Sequence, residues 1–325
     1  MPTKVQIAMA TYDGEKFLED QLASILRQSY DDWEIIVRDD GSTDGTMDIL
    51  ERFAAEHPGR MRIIRDDKGN LGPTPNFLEV LDHTTADIVC FADQDDIWHA
   101  DKISSSIAKM EEMAEEHGEN TPLLVHHDIT TMDEHNLPLA ATFSQVNNVD
   151  KSNASINHLL VQNVVTGFTM MVNRALMDRA LPAPEGTTSH DAYFGLTAAA
   201  FGHIGFIPKS LAHYRIHRDN VWGGKNPFYA VDRSDFSLPK LFNGHSVRLV
   251  GSLLKAVRTT LTEKCDRASL FLEKFGDDIP DEPRCLVENF ARLADANPVQ
   301  RKIIIARNGF FPTSKKYAAA FLAFG

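Results

Sequence analysis

A chain of 325 residues with 43 % hydrophobic content can bury a large core and is expected to form one or two domains. Its net charge of −13 argues against nucleic acid as the main partner. No apolar run reaches the length of a membrane span or a signal peptide, and Cys90, Cys265 and Cys285 are scattered without metal spacing, so a reducing cytoplasm is the expected setting.

Short apolar runs alternate with helical patterns through the first half. The pattern predicts a strand over Val5–Met9, a helix over Glu15–Gln28 and a strand over Glu34–Val37. A helix over Met47–Glu56, a strand over Met61–Ile64 and a helix containing Asn76–Leu81 follow. Ile88–Ala92 reads as a fourth strand and Leu123–His126 as a fifth. Between them, Lys102–Glu116 reads as a helix with Ile103, Ile107, Met110 and Ala114 on one face. Such β-α repetition predicts a parallel sheet covered on both faces, with ligands outside the carboxyl ends of the strands. The stretch from about Thr130 to Pro239 is less regular and holds one helix near Asp191–Phe201. Beyond it Val247, Val250, Leu254 and Val257 share a helical face. The expected division is therefore 1–225 and 226–325. Residues 226–325 hold 15 Lys/Arg and 11 Asp/Glu, a net of +4, which leaves −17 for residues 1–225.

Three polar clusters fall at the predicted strand ends: Thr11–Asp13, Asp39–Asp44 and Asp93–Asp96. The third follows the apolar run Ile88–Ala92 with three carboxylates within four positions. Carboxylates stranded at the end of a buried strand are costly unless paired or bound to a cation. A hard divalent ion with oxygen ligands is the natural partner, and an ion that also holds a diphosphate makes the strand end a site for a nucleotide-activated donor. In the second cluster, a carboxylate can accept the N3–H of uracil or thymine, whereas cytosine offers no proton there. A calcium-loop reading of Asp40 to Glu51 competes, but that motif needs an entering helix and Trp33–Val37 is strand-like. A helix N-cap by Ser42, Thr43 or Asp44 is compatible with base binding. Neither G-x-G-x-x-G nor a Walker A pattern occurs, which disfavours the nicotinamide and P-loop classes. His126 and His127 are adjacent on a strand, point to opposite faces, and read as rim or structural residues. Asp66-Asp67-Lys68 reads as a solvated turn.

Taken in order, these residues resemble the inverting glycosyltransferases of family 2. The likeness runs from Lys4 to Gly223 through Ala10-Thr11-Tyr12-Asp13-Gly14, Arg38-Asp39-Asp40-Gly41-Ser42-Thr43-Asp44-Gly45 and Asp93-Gln94-Asp95-Asp96-Ile97-Trp98. Within that family the chain is similar to bacterial rhamnosyltransferases of cell-wall polysaccharide synthesis. That further likeness rests on Asn163 to Asn173, His190-Asp191 and Tyr214-Arg215-Ile216-His217-Arg218-Asp219-Asn220-Val221. Phe168 departs from the pattern, where a second glycine is expected.

The resemblance implies an α/β class: a GT-A type nucleotide-sugar-binding domain with a mainly parallel central sheet, followed by a C-terminal helical region. It implies transfer of L-rhamnose from dTDP-L-rhamnose to a lipid-linked saccharide acceptor, with Mg²⁺ or Mn²⁺ as cofactor. Asp40 matches the base-reading carboxylate, with Thr11, Tyr12, Asp13 and Asn70 lining the donor site. Asp93 and Gln94 match its ribose and diphosphate side. Asp95 matches the metal ligand, joined by His217. Asp191 matches the catalytic base, a role that suits a single displacement in which one carboxylate takes the acceptor hydroxyl proton. Trp98, Thr166, Gly167 and His190 match the acceptor side. A UDP-hexose donor and a non-catalytic nucleotide-sugar-binding member of a synthase complex stay open as alternatives.

Near the C-terminus, Ile303-Ile304-Ile305, Phe310-Phe311 and Phe321-Leu322 interleave with five basic residues and no acidic one after Asn297. A contact with anionic lipid at the inner face of the cell membrane, a homodimer interface and an ordinary helical core with a basic face all fit this pattern.

Overall fold

A computed structural model describes residues 3–140, 142, 144, 149–218, 220 and 244–312. Two compact units divide the chain. One holds Met1–Ala154 and Asn163–Arg215; the other holds Ser155–Gln162 and Ile216–Gly325.

The first unit is built on a nine-stranded sheet among the described residues. Its strands are β1 (Val5–Thr11), β2 (Trp33–Asp39), β3 (Met61–Ile63), β4 (Ile88–Ala92), β5 (Ile97–Trp98), β6 (Leu123–Met132), β7 (Pro138–Ala140), β8 (Met171–Asn173) and β9 (His203–Arg215). The order is β3-β2-β1-β4-β8-β6-β9-β5, with β7 paired to β6. β1 runs parallel to both β2 and β4, and β6 runs parallel to β9, whereas β8 and β5 run against their neighbours. The sheet is thus mainly parallel. The chain moves outward from β1 to β3 and then crosses to the other side of β1 for β4. That reversal is the switch point at which open α/β sheets place ligands.

The helices form where apolar spacing matches the helical period. In α1 (Leu18–Leu26) the buried Leu18, Leu22 and Ile25 line one face, and in α2 (Thr46–Glu56) Ile49, Leu50 and Phe53 do so. α3 (Pro73–Asp82) opens with a proline whose missing N–H costs nothing at the first helical position. α4 (Lys102–His117) buries Ile103, Ile107, Met110 and Met113. These residues join Val5, Ile7, Met9, Ile35 and Val37 in one core on the sheet.

The predicted fifth strand stops at His126, yet β6 runs on to Met132. The polar run that ends the sequence pattern is itself buried, because β9 lies along the whole of β6. Both His126 and His127 are buried, and burial lowers the pKa of each, to about 3 for His126. They are structural rings in a neutral state. Cys90, on β4, is a buried thiol.

The second unit is helical. It contains α5 (Ile156–Val161), α8 (Gly244–Phe275), α9 (Asp281–Ala291) and α10 (Pro298–Asn308); α6 (Arg174–Ala180) and α7 (His190–Phe201) belong to the first unit. Leu261, Cys265, Ala268, Phe271 and Phe275 bury one stripe of α8. Asn297 and Gln300 close a capping box at the start of α10. The face predicted from Val247 to Val257 lies on α8, where side chains fall outside the described residues. No helix among the described residues is long and apolar enough to cross a membrane.

Candidate active site

Parallel pairing aligns the carboxyl ends of β1, β2 and β4, since Thr11 pairs with Asp39 and Met9 with Ala92. All three polar clusters therefore meet on one rim. The first two are stitched together. Thr11 Oγ1 donates to Asp39 Oδ1 at 2.9 Å, Asp13 N–H to Ser42 Oγ at 2.8 Å, and Thr43 N–H to Asp13 Oδ1 at 2.7 Å. Asp13 takes φ +43°, a conformation that Asp tolerates better than most residues. Gln94 joins the third cluster to the first, accepting from Tyr12 N–H at 2.8 Å and donating to Tyr12 O at 2.9 Å. A Cβ on Gly14 would lie 2.4 Å from Gln94 Oε1, so only glycine fits beside this bridge. The ring of Tyr12 stands 49 % exposed on the rim.

Asp40 is 2 % exposed. Its Oδ1 accepts from Arg38 Nη1 and Leu71 N–H, each at 2.7 Å, and Oδ2 accepts from Gly72 N–H at 2.8 Å. Asn70 Nδ2 donates to the Asp40 carbonyl at 3.0 Å. The Asp66-Asp67-Lys68 turn is not simply solvated. Asp66 grips Arg38 with both carboxylate oxygens, at 2.8 and 2.9 Å, and this hydrogen bonding lowers its pKa to about 2. The signal for this pair lies in the sequence: Arg38 continues the apolar run Ile35-Ile36-Val37, and a guanidinium buried in a strand needs a carboxylate partner.

Asp93, Asp95 and Asp96 each place a carboxylate oxygen within 4.8 Å of the others. Burial, followed by the charges of Asp95 and Asp191, lifts Asp93 to about 8; burial, then Asp95 and Asp93, pushes Asp96 well above the usual range. Asp96, the third carboxylate of this cluster, is 0 % exposed. Its Oδ1 accepts from Arg215 N–H at 3.2 Å, while Oδ2 is buried without a partner among the described residues. Such a group of mutually repelling oxygens, one of them orphaned, fits a hard divalent cation. Arg215 shapes the turn, donating from Nε to Asp95 O at 2.7 Å. Gln21 Nε2 holds Asp93 O at 3.1 Å. Behind the turn lies Trp98, 3 % exposed, with the Lys102 ammonium 3.8 Å from its ring centroid. Trp98 is thus a wall of the carboxylate turn.

Asp191 sits in the first turn of α7, whose N-cap is Ser189. Asp191 Oδ1 accepts from Ser189 Oγ and from Ala192 N–H (2.7 Å), and Oδ2 takes neither donor. His190 stacks on Phe77, with centroids 4.4 Å apart, and on Phe91 at 5.8 Å. Burial lowers its pKa, with the Asp191 charge opposing, and Nε2 has no partner among the described residues. A Cβ on Gly167 would approach that nitrogen to 2.8 Å, so glycine lets the Thr166–Gly167 backbone reach α7. Thr166 Oγ1 accepts from the buried Lys151 Nζ at 3.3 Å. Phe168, the departure noted above, is buried and stacks on Tyr214 at 5.8 Å. His217 falls in the second unit, where its N–H bonds Asn220 Oδ1 at 2.6 Å.

Residues 6–116, which hold these three clusters, match the family model described as Glycosyl transferase family 2. This stretch is similar to the family 2 glycosyltransferase domain. Over 102 residues, 30 % of the chain, the sequence is 41 % identical to "dTDP-rhamnosyl transferase RfbG" of Shigella flexneri; that match spans 35 % of the relative's length. Among solved structures, the S. aureus TarS 1-349 complex with UDP-GlcNAc superposes with TM-score 0.56 at 15 % identity, over 95 % of this chain and 93 % of that one. A mannosyltransferase from Pyrobaculum calidifontis, solved with GDP-Man and Mn²⁺, gives TM-score 0.51 at 18 % identity, over 99 % of this chain and 79 % of that one. The architecture is the GT-A fold expected from the sequence.

Proposed function

We propose that the protein is a metal-dependent inverting glycosyltransferase that moves L-rhamnose from dTDP-L-rhamnose to a lipid-linked saccharide. The observation that carries this reading is the Asp93–Asp95–Asp96 group on the same rim as the Asp40 and Tyr12 clusters. Asp95 and Asp96 would hold Mg²⁺ or Mn²⁺; when bound, the ion supplies charge neutralisation to a departing diphosphate. Rhamnose as the sugar and thymidine as the base are supported by the likeness to RfbG. A UDP-hexose donor is the second reading, favoured by the UDP-GlcNAc complex of TarS.

Asp40 selects the base in this account. Its Oδ2 takes a single donor and keeps acceptor capacity for an N3–H. Tyr12 is placed to stack on the ring, while Thr11, Asp13 and Asn70 hold the loops around it. Asp93 and Gln94 border the sugar-diphosphate. Asp191 takes the proton from the acceptor hydroxyl as its oxygen bonds to the anomeric carbon and the carbon–diphosphate bond breaks. His190, stacked between aromatic rings, together with Thr166 and Gly167, shapes the acceptor side. A peripheral membrane site for the lipid-linked acceptor is supported by α10, which exposes Val299 and Ile303 beside Arg301, Lys302 and Arg307.

Two measurements check this reading. Nucleoside diphosphate release in Mn²⁺ should be fastest from dTDP-L-rhamnose among dTDP-rhamnose, UDP-glucose and UDP-GlcNAc; release from a UDP-sugar alone replaces the donor. In competition, UDP and dTDP should bind more tightly than CDP by roughly 1.5–3 kcal/mol, the worth of a hydrogen bond to a charged acceptor. Equal competition by CDP removes Asp40 from base selection.

A further inference from the structure

We infer that Arg38 and Asp66 form a positioning clamp that sets the 66–72 segment and the Asp40 carboxylate for binding of a nucleoside diphosphate. The inference rests on the proposal that Asp40 faces the donor base. Arg38 is 2 % exposed and all five of its N–H donors are committed: two to Asp66, one to Asp40, one to Asn76 Oδ1 at 2.8 Å and one to Gly69 O at 2.9 Å. It has no donor left for a phosphate. Its work is to connect the end of β2 to the loop that follows β3. That loop has little else to hold it, since residues 65–70 are exposed and bury no apolar side chain. Four hydrogen bonds at its far end converge on Asp40 or Arg38: those from Leu71 N–H, Gly72 N–H and Asn70 Nδ2, and that to Gly69 O; Asn76 N–H to Gly72 O and the Lys68–Glu79 ion pair tie the segment to α3. Gly69 and Gly72 take φ +67° and +85°, so the backbone there is free to open as well as to close.

Asp66 is the lock. A forked carboxylate is the geometry that a guanidinium holds most firmly, and its loss lets Arg38 turn from Asp40. The same arginine bonds Asn76 on α3, and Thr74 of that helix donates to Thr188 O at 3.0 Å, just before Asp191. The donor loop and the segment that presents the proposed base therefore share one framework.

The test is Asp66→Asn in the full chain, which keeps size and exposure and removes the charge. UDP and dTDP affinity should fall about five- to tenfold by calorimetry with Mn²⁺, the scale of one ordinary hydrogen bond, since the amide keeps one acceptor for Arg38. Donor KM should rise by a similar factor with kcat within twofold. Hydrogen exchange at Leu71 and Gly72 without nucleotide should quicken, and Asp66→Glu should restore part of each effect. Unchanged affinity and exchange in Asp66→Asn, alongside an Asp40→Asn that loses binding, overturns the clamp. A wild-type protein that binds neither UDP nor dTDP overturns instead the donor-base reading beneath it.

Discussion

Asp191→Asn should lose transfer activity by about 10²–10⁴-fold, the worth of a positioned general base, while donor affinity stays unchanged. The expectation follows from the local geometry. Ser189 holds the N-cap position of α7 without a side-chain cap bond, and Asp191→Asn keeps the Oδ1 acceptor that Ala192 N–H uses, so the helix start survives the substitution. Its Oδ1 is fixed by Ser189 Oγ and Ala192 N–H, and Oδ2, which takes neither donor, is the oxygen proposed to receive the substrate proton. Its charge also reaches Asp93, which places it beside the carboxylate group. The neighbouring His190 is stacked on Phe77 and Phe91 and held below its ordinary pKa by burial, a poor setting for accepting a proton. Steady-state rates with a saturating donor check the assignment. A near wild-type rate in Asp191→Asn with an inactive His190→Ala reverses the two roles.

Asp95→Asn should weaken Mn²⁺ binding, read by electron paramagnetic resonance, by about tenfold or more, since losing even an outer partner of a metal site costs 10–100-fold. The same variant should fold normally. In the absence of metal, burial first and then the neighbouring carboxylate charges raise Asp93 and Asp96, and removing one charge relieves the second of these. Its melting temperature in EDTA should therefore equal or exceed that of the wild type, whereas in Mn²⁺ it should fall behind. Undiminished Mn²⁺ binding in Asp95→Asn moves the ion away from this turn.

Much of the rim was legible because buried strands cannot hold isolated carboxylates. The abrupt change from Ile88–Ala92 to Asp93, Asp95 and Asp96 pointed to a cation before any coordinate existed, and the β-α alternation placed the clusters at one edge. Strand β6 was cut short at His126 because hydropathy cannot distinguish a polar residue in solvent from one buried beneath a neighbouring strand. Arg38 and Asp66 were passed over for a related cause: they lie 28 residues apart, and only the parallel pairing of β2 with β3 brings the turn after β3 onto the end of β2. Asp96 and Arg215 are 119 residues apart and met through β9, a contact that no local pattern announces. Trp98, matched to the acceptor side by the resemblance, is turned inward over Lys102 by the pairing of β5 with β9, a long-range contact that the local sequence does not announce.

The most direct test of the central claim is a calorimetric titration of UDP and dTDP into the 325-residue chain, once with Mn²⁺ and once with EDTA. A metal-bridged diphosphate site predicts saturable binding in Mn²⁺ and affinity at least about tenfold weaker in EDTA, a difference of about 1.4 kcal/mol. Equal affinity in the two buffers would contradict it.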